Sequence, residues 1–99
     1  MSSVAIITST DGAVRANHYH KTDWHYAYII TGSLEYYWRP VGSTEPPKRI
    51  VVKAGQLFFT PPMVEHAMKF LEATTFITMA KNVRSHENHE ADLVRIKLV

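Results

Sequence analysis

Short runs rich in Val, Ile, Thr, Tyr, Phe and Trp recur along the whole chain between clusters of turn residues, and helical periodicity is hard to find. That pattern confines the chain to an all-β sandwich or barrel. About eight strands are legible. Val4 to Thr8 is closed by the turn residues Ser9 to Gly12, and Val14 to His20 alternates, with Val14, Ala16, His18 and His20 on one face. His25 to Thr31 stops at Gly32, and Leu34 to Arg39 alternates again. Pro40 to Lys48 is a loop, because its prolines and glycine cannot sit in a central strand. Arg49 to Val52, Leu57 to Thr60, and a pair formed by His66 to Phe70 and Thr74 to Met79 follow, then a polar loop or helical turn from Asn82 to Ala91 and a last strand, Leu93 to Leu98.

Composition limits the alternatives. Ninety-nine residues, 45% of them hydrophobic and 11% aromatic, carry enough apolar surface for one folded domain over residues 1–99 and leave no room for a second. The +2 net charge is spread along the chain with acids between the bases, so no stripe for nucleic acid emerges. No apolar run approaches the roughly 20 residues of a membrane span, and no basic leader precedes an apolar core, so a cytoplasmic protein is expected.

The run from Tyr26 to Ile30 is apolar on both faces, with Ala27 and Ile29 on the side of His25 and with Tyr26, Tyr28 and Ile30 opposite. One face meets the barrel interior. The other needs a cover, and a homodimer is expected, with the chain's own termini as the alternative cover.

Six histidines against no cysteine exclude disulfides, thiolate metal sites and a cysteine nucleophile, and leave imidazole as the abundant ligand and acid/base group. His18 and His20 share one strand face about 7 Å apart, at a rise of about 3.4 Å per residue, which makes half of a chelate. His25 opens the next strand, and His66 comes from a distant one that would have to fold against them. Together the four would bind one divalent transition metal, drawn from Fe, Mn, Ni, Cu and Zn. His86 and His89 lie in the polar stretch RSHENHEAD and are read as solvated. Tyr36, Trp38, Met68 and Phe70 are candidates to line a substrate pocket, with plain core as the equal alternative.

The spacing also resembles a known family. From Gly12, five residues lead to His18, one to His20, four to His25 and six to Gly32; this is similar to the first cupin motif, with His25 where Glu is usual. Gly55, five residues, Pro61, then Met63 and two residues to His66 resemble the second motif, with Met63 where Gly is usual and Phe70 where Asn is. The resemblance implies a double-stranded β-helix barrel of the jelly-roll type. It places one metal in the barrel mouth on His18, His20, His25 and His66, with the alternative that His25 is a non-ligand that hydrogen-bonds a metal-bound water or substrate. With four neutral ligands the site would keep the ion's own +2 charge, which favours a divalent resting state.

Fold does not fix function here. No Arg or Lys is evidently aimed at an anionic substrate, so the first reading is a metal-dependent enzyme, an oxygenase or isomerase, acting on a small neutral or enolisable molecule. The stretch HYHKTDWHYAYIITGSLE also resembles the HxHK segment of nucleotide-sugar ketoisomerases, which implies metal-free His acid/base chemistry. A third reading is a small-molecule binding or sensor module without turnover.

Overall fold

The computed structural model describes residues 1–82 and 91–99. Nine strands are described: β1 (Ser3–Ser9), β2 (Val14–His20), β3 (His25–Thr31), β4 (Ser33–Pro40), β5 (Lys48–Lys53), β6 (Leu57–Thr60), β7 (Val64–Phe70), β8 (Thr74–Ala80) and β9 (Leu93–Arg95). They form two antiparallel sheets, a four-stranded one in the order β1-β8-β3-β6 and a five-stranded one in the order β5-β4-β7-β2-β9. Their inner faces make one core: Ala27, Ile29, Phe58 and Phe76 from the first sheet meet Leu34, Tyr36, Val52, Met68 and Phe70 from the second. This is the expected all-β jelly roll. The expectation for Asn82 to Ala91, with His86 and His89, falls outside the described residues except at its ends.

Consecutive strands often change sheet, and that corrects one expected pairing. β7 lies between β2 and β4 while β8 lies between β1 and β3, so Val64–Phe70 and Thr74–Ala80 face each other across the core instead of forming a hairpin. Phe70 and Phe76 stack there, ring centroids 5.6 Å apart. The crossing is tight. Gly32 (φ +95°), between β3 and β4, passes so close to Thr74 that a Cβ at this position would overlap the Thr74 hydroxyl oxygen, which is why the residue after β3 is a glycine.

A second correction concerns β2. Its pairing with β7 runs Val14 to Lys69, Arg15 to Met68 and Ala16 to Ala67, then skips Asn17, so that His18 lies opposite His66. Ala16 (φ 71°) and Asn17 (φ 56°) are both left-handed at this bulge. The extra residue breaks the alternation. Val14 therefore faces outward with Lys69, and Arg15 joins His18 on the inner face. Asn17 compensates for the strain by tying down the end of the chain: its Oδ1 accepts from the Leu98 and Val99 amides, and its Nδ2 donates to the Val99 carbonyl. The same ties end β9 at Arg95, short of the expected Leu98.

The outer face of the first sheet is apolar and exposed. Val4 and Ile6 of β1, Tyr26, Tyr28 and Ile30 of β3, and Leu57 and Phe59 of β6 all lie at a third or more of full exposure. Neither described terminus covers them, because β1 sits at the far edge of this sheet beside β8 and β9 pairs with β2. No described helix is long and apolar enough to cross a membrane.

Candidate metal centre

The register places the histidines together. His18 and His66 face each other across β2 and β7, His20 follows two residues on, and His25 enters from the opposite sheet at the start of β3. The rings of His18 lie 4.8 Å from His20 and 4.7 Å from His66, centroid to centroid. One ligating nitrogen from each of His18, His20 and His66 lies within 4.8 Å of the other two. His25 is outside that threesome but adjoins it, its ring 5.2 Å from His66 and 5.8 Å from His20. His20, His25 and His66 are buried.

Hydrogen bonds set the tautomers of two of these rings. His20 Nδ1 donates to Asp92 Oδ2 at 3.1 Å, and His66 Nδ1 donates to the Val64 carbonyl at 3.0 Å. A neutral imidazole that donates from Nδ1 keeps its lone pair on Nε2. This is the outer-shell arrangement that orients histidine ligands in metal sites. The donor set fits a borderline divalent transition ion, for which several neutral imidazoles on rigid strands are suitable ligands.

Asp92 is held with equal care. Its Oδ1 accepts from the Thr22 amide and the Thr22 hydroxyl, both at 2.7 Å, and its Oδ2 accepts from the Asp23 amide at 3.2 Å as well as from His20. Burial works to raise its carboxyl, and these bonds, the Thr22 hydroxyl foremost, together hold it below the usual carboxylate value. His20, Asp23 and Asp92 also lie close enough to hold a cation. With both its oxygens already accepting, Asp92 acts there as the orienter of His20.

The histidines open into a cavity of about 220 Å³, walled by Ile7, Met68, Phe76 and Thr78, with Arg15 at its side. Arg15 reaches across to β1, where its Nε donates to the Ser9 hydroxyl and its Nη2 to the Thr8 carbonyl. A second, apolar cavity of about 390 Å³ lies on the other flank, lined by Tyr36, Trp38, Ile50, Phe58, Pro61 and Val64. Between the two stands Tyr36, its ring against Phe58 (4.4 Å) and near His66 (6.4 Å), its hydroxyl bonded to Thr60 Oγ1 at 2.6 Å. Burial pushes the Tyr36 phenol up to about 12, against a smaller opposing effect of the Thr60 bond.

No protein-family model matches the chain, and no curated protein sequence does. Solved structures do. The capsular polysaccharide assembling protein CapF of Staphylococcus aureus superposes at a TM-score of 0.87 and 17% identity, over 97% of this chain and 28% of CapF. A double mutant of the 3,4-ketoisomerase QdtA of Thermoanaerobacterium thermosaccharolyticum, solved with TDP, superposes at 0.76 and 23% identity, over 94% of this chain and 64% of QdtA. The CENP-C cupin domain of Drosophila melanogaster superposes at 0.68 and 10% identity, over 79% of this chain and 59% of that one. The fold is that of a cupin domain. CapF has also been solved with the inhibitor 3-isopropenyl-tropolone.

Within this cupin barrel the residues expected around the substrate are divided. Met68 walls the histidine cavity, Tyr36 and Trp38 wall the apolar one, and Phe70 is fully buried in the core. Met63, where the second cupin motif usually has Gly, adopts φ 61°, the left-handed backbone that glycine prefers, and its amide donates to the His20 carbonyl at 2.8 Å. Sequence reasoning missed Arg15 and Asp92. Asn17 was the available signal for Arg15, since Asn tolerates the left-handed region and so marks a bulge. Asp92, 72 residues from His20, carries no signal of spacing.

Proposed function

We propose that this chain is a metal-dependent enzyme of the cupin fold, in which His18, His20 and His66, with His25 as the fourth ligand, hold one divalent transition ion. The observation that carries the reading is the convergence of three imidazoles from β2 and β7, two of them fixed by Nδ1 donation to Asp92 and Val64. The inhibitor of CapF adds support, because a tropolone carries a hydroxyl beside a carbonyl and so chelates metals through two oxygens. When bound, the ion would supply Lewis acidity or, if redox-active, a route for electrons to dioxygen. The protein's own part is to hold the imidazoles neutral and oriented, and to give a small, enolisable substrate a cavity with apolar walls at Ile7, Met68 and Phe76. The test is thermal: a stoichiometric transition metal should raise Tm of the chelated protein, and His66→Ala should abolish the rise. An unchanged rise in that variant rules out this ligand set.

A second reading has its own observation. His20 and Asp92 form a buried imidazole-carboxylate couple, the arrangement that orients a general base, and QdtA is a ketoisomerase. Turnover of a keto sugar by fully chelated protein would favour this reading over the metal.

We also infer a homodimer formed through the outer face of the four-stranded sheet. That face is supported as an interface by seven exposed large apolar residues on three strands, more than a monomer usually leaves in one patch. Sedimentation should give a dimer at micromolar concentration, and Tyr28→Glu, which would bury a charge on each side, should give a monomer. A wild-type monomer would rule the dimer out.

A further inference from the structure

We infer that Arg15 is the anion-recognising residue of the histidine cavity, and that the substrate is a small molecule carrying a carboxylate. The inference rests on the metal reading of the same cavity and adds to it the charge of what binds there.

The bulge in β2 is the starting point. Without it, the alternation would put Arg15 on the outer face. With it, two left-handed residues, Ala16 and Asn17, turn Arg15 to the same side of the sheet as Met68, where its side chain, still exposed to solvent, borders the cavity. A left-handed L-residue costs roughly 1–2 kcal/mol, so the bulge is an expensive way to aim a side chain unless the aim matters. The guanidinium is then braced: Ser9 and Thr8 of β1 take up two of its five N–H groups and leave three for a ligand.

Electrostatics points the same way. Among the described residues that line the cavity, Arg15 alone bears a charge at neutral pH with histidines neutral; the carboxylates of Asp23 and Asp92 adjoin His20 from outside the lining. A divalent ion on the imidazoles would add to this field. An anion answers both charges, and the planar fork of Arg matches a carboxylate through two parallel hydrogen bonds. Size sets the upper limit: about 220 Å³ is below the range of about 300–1,000 Å³ that holds drug-sized ligands. The ligand is a short-chain acid whose second oxygen function lies toward the histidines and whose carbon frame rests on Ile7 and Phe76.

The experiment measures metal content of the purified protein, then titrates it calorimetrically with oxalate, a chelator that keeps a second carboxylate for Arg15, and with acetohydroxamate, a chelator that carries no carboxylate. Arg15→Gln should weaken oxalate about 10- to 100-fold, leave acetohydroxamate within about threefold and leave metal content unchanged. Arg15→Lys, which keeps the charge without the fork, should recover part of the loss. Equal oxalate affinity in wild type and Arg15→Gln, or equal weakening of both ligands, overturns the inference. Protein that takes up no metal overturns the metal reading instead; Arg15 is then judged by pyruvate, whose binding should fall in Arg15→Gln and whose indifference would overturn the assignment.

Discussion

Replacing Asp92 by Asn keeps shape and removes charge, which isolates what this carboxylate does for His20. Its two oxygens accept four hydrogen bonds, from the Thr22 amide, the Thr22 hydroxyl, the Asp23 amide and His20 Nδ1. An amide has one oxygen to offer. If it faces Thr22, the new NH₂ group meets the Asp23 amide and His20, and the ring must move its proton to Nε2 to accept. If it faces His20, the Thr22 amide loses its acceptor. In the first orientation the buried Asp23 N–H is left unsatisfied, at about 1–3 kcal/mol; in the second it is the part-buried Thr22 N–H, at the low end of that range. In the first, the Nε2 lone pair of His20 is lost as well. Loss of an outer-shell partner of this kind typically weakens a metal site about 10- to 100-fold. Asp92→Asn should therefore lower the metal-free Tm by at least about 4 °C, as about 1 kcal/mol corresponds to 4–8 °C in a domain of this size. In competition with a chromogenic chelator it should also lose about 10- to 100-fold in metal affinity. A variant that melts lower but binds metal as tightly as wild type would refute the role given to Asp92, leaving it a structural carboxylate only.

Other consequences follow from single groups. Tyr36, pushed up to about 12, is protonated in the folded protein over a range where the unfolded phenol, at its ordinary value near 10, has ionised. Stability from this group is thus intact below pH 10 and falls by about 2–3 kcal/mol as pH rises to 12; Tyr36→Phe should flatten that decline in denaturant titrations, and an equally steep decline in the variant would refute it. Asp92, held low, contributes stability above its unfolded value near 3.9 that is lost as pH falls through its folded value. Asp92→Asn should accordingly be less acid-sensitive than wild type in Tm measured from pH 5 to pH 2. Met63→Gly relieves a left-handed residue whose side chain is half exposed and should raise stability by up to about 1 kcal/mol after the entropic cost of glycine; a lower Tm would show that the Met63 side chain matters more than its backbone.

Much of the site was legible because strand geometry is periodic. His18 and His20, two apart, had to share a face, His66 lies on a strand whose alternation with Met68 and Phe70 could be read directly, and His25 opens a strand bounded by turn residues. The outer face of β3 was legible for the same reason: Tyr26, Tyr28 and Ile30 leave it apolar, and the structure leaves it exposed. What escaped was whatever broke the period or depended on distance. The bulge at Ala16 and Asn17 shifts Val14 and Arg15 to opposite faces, and no glycine marks it. The placement of β7 and β8 in different sheets is decided by how the jelly roll folds over, since either strand alone reads the same in a hairpin or across a core. Asp92 reaches His20 only because β9 pairs with β2, a contact between the two ends of the chain.

The proposed metal site joins His18, His20, His25 and His66 on one transition ion. It is tested most directly by elemental analysis of protein prepared without a histidine tag and reconstituted in turn with iron, manganese, nickel, copper and zinc. About one equivalent of at least one ion should remain after gel filtration, as expected of a preformed site, and His20→Ala should lose it. Retention of less than about a tenth of an equivalent of every ion would mean that the four histidines form no metal site.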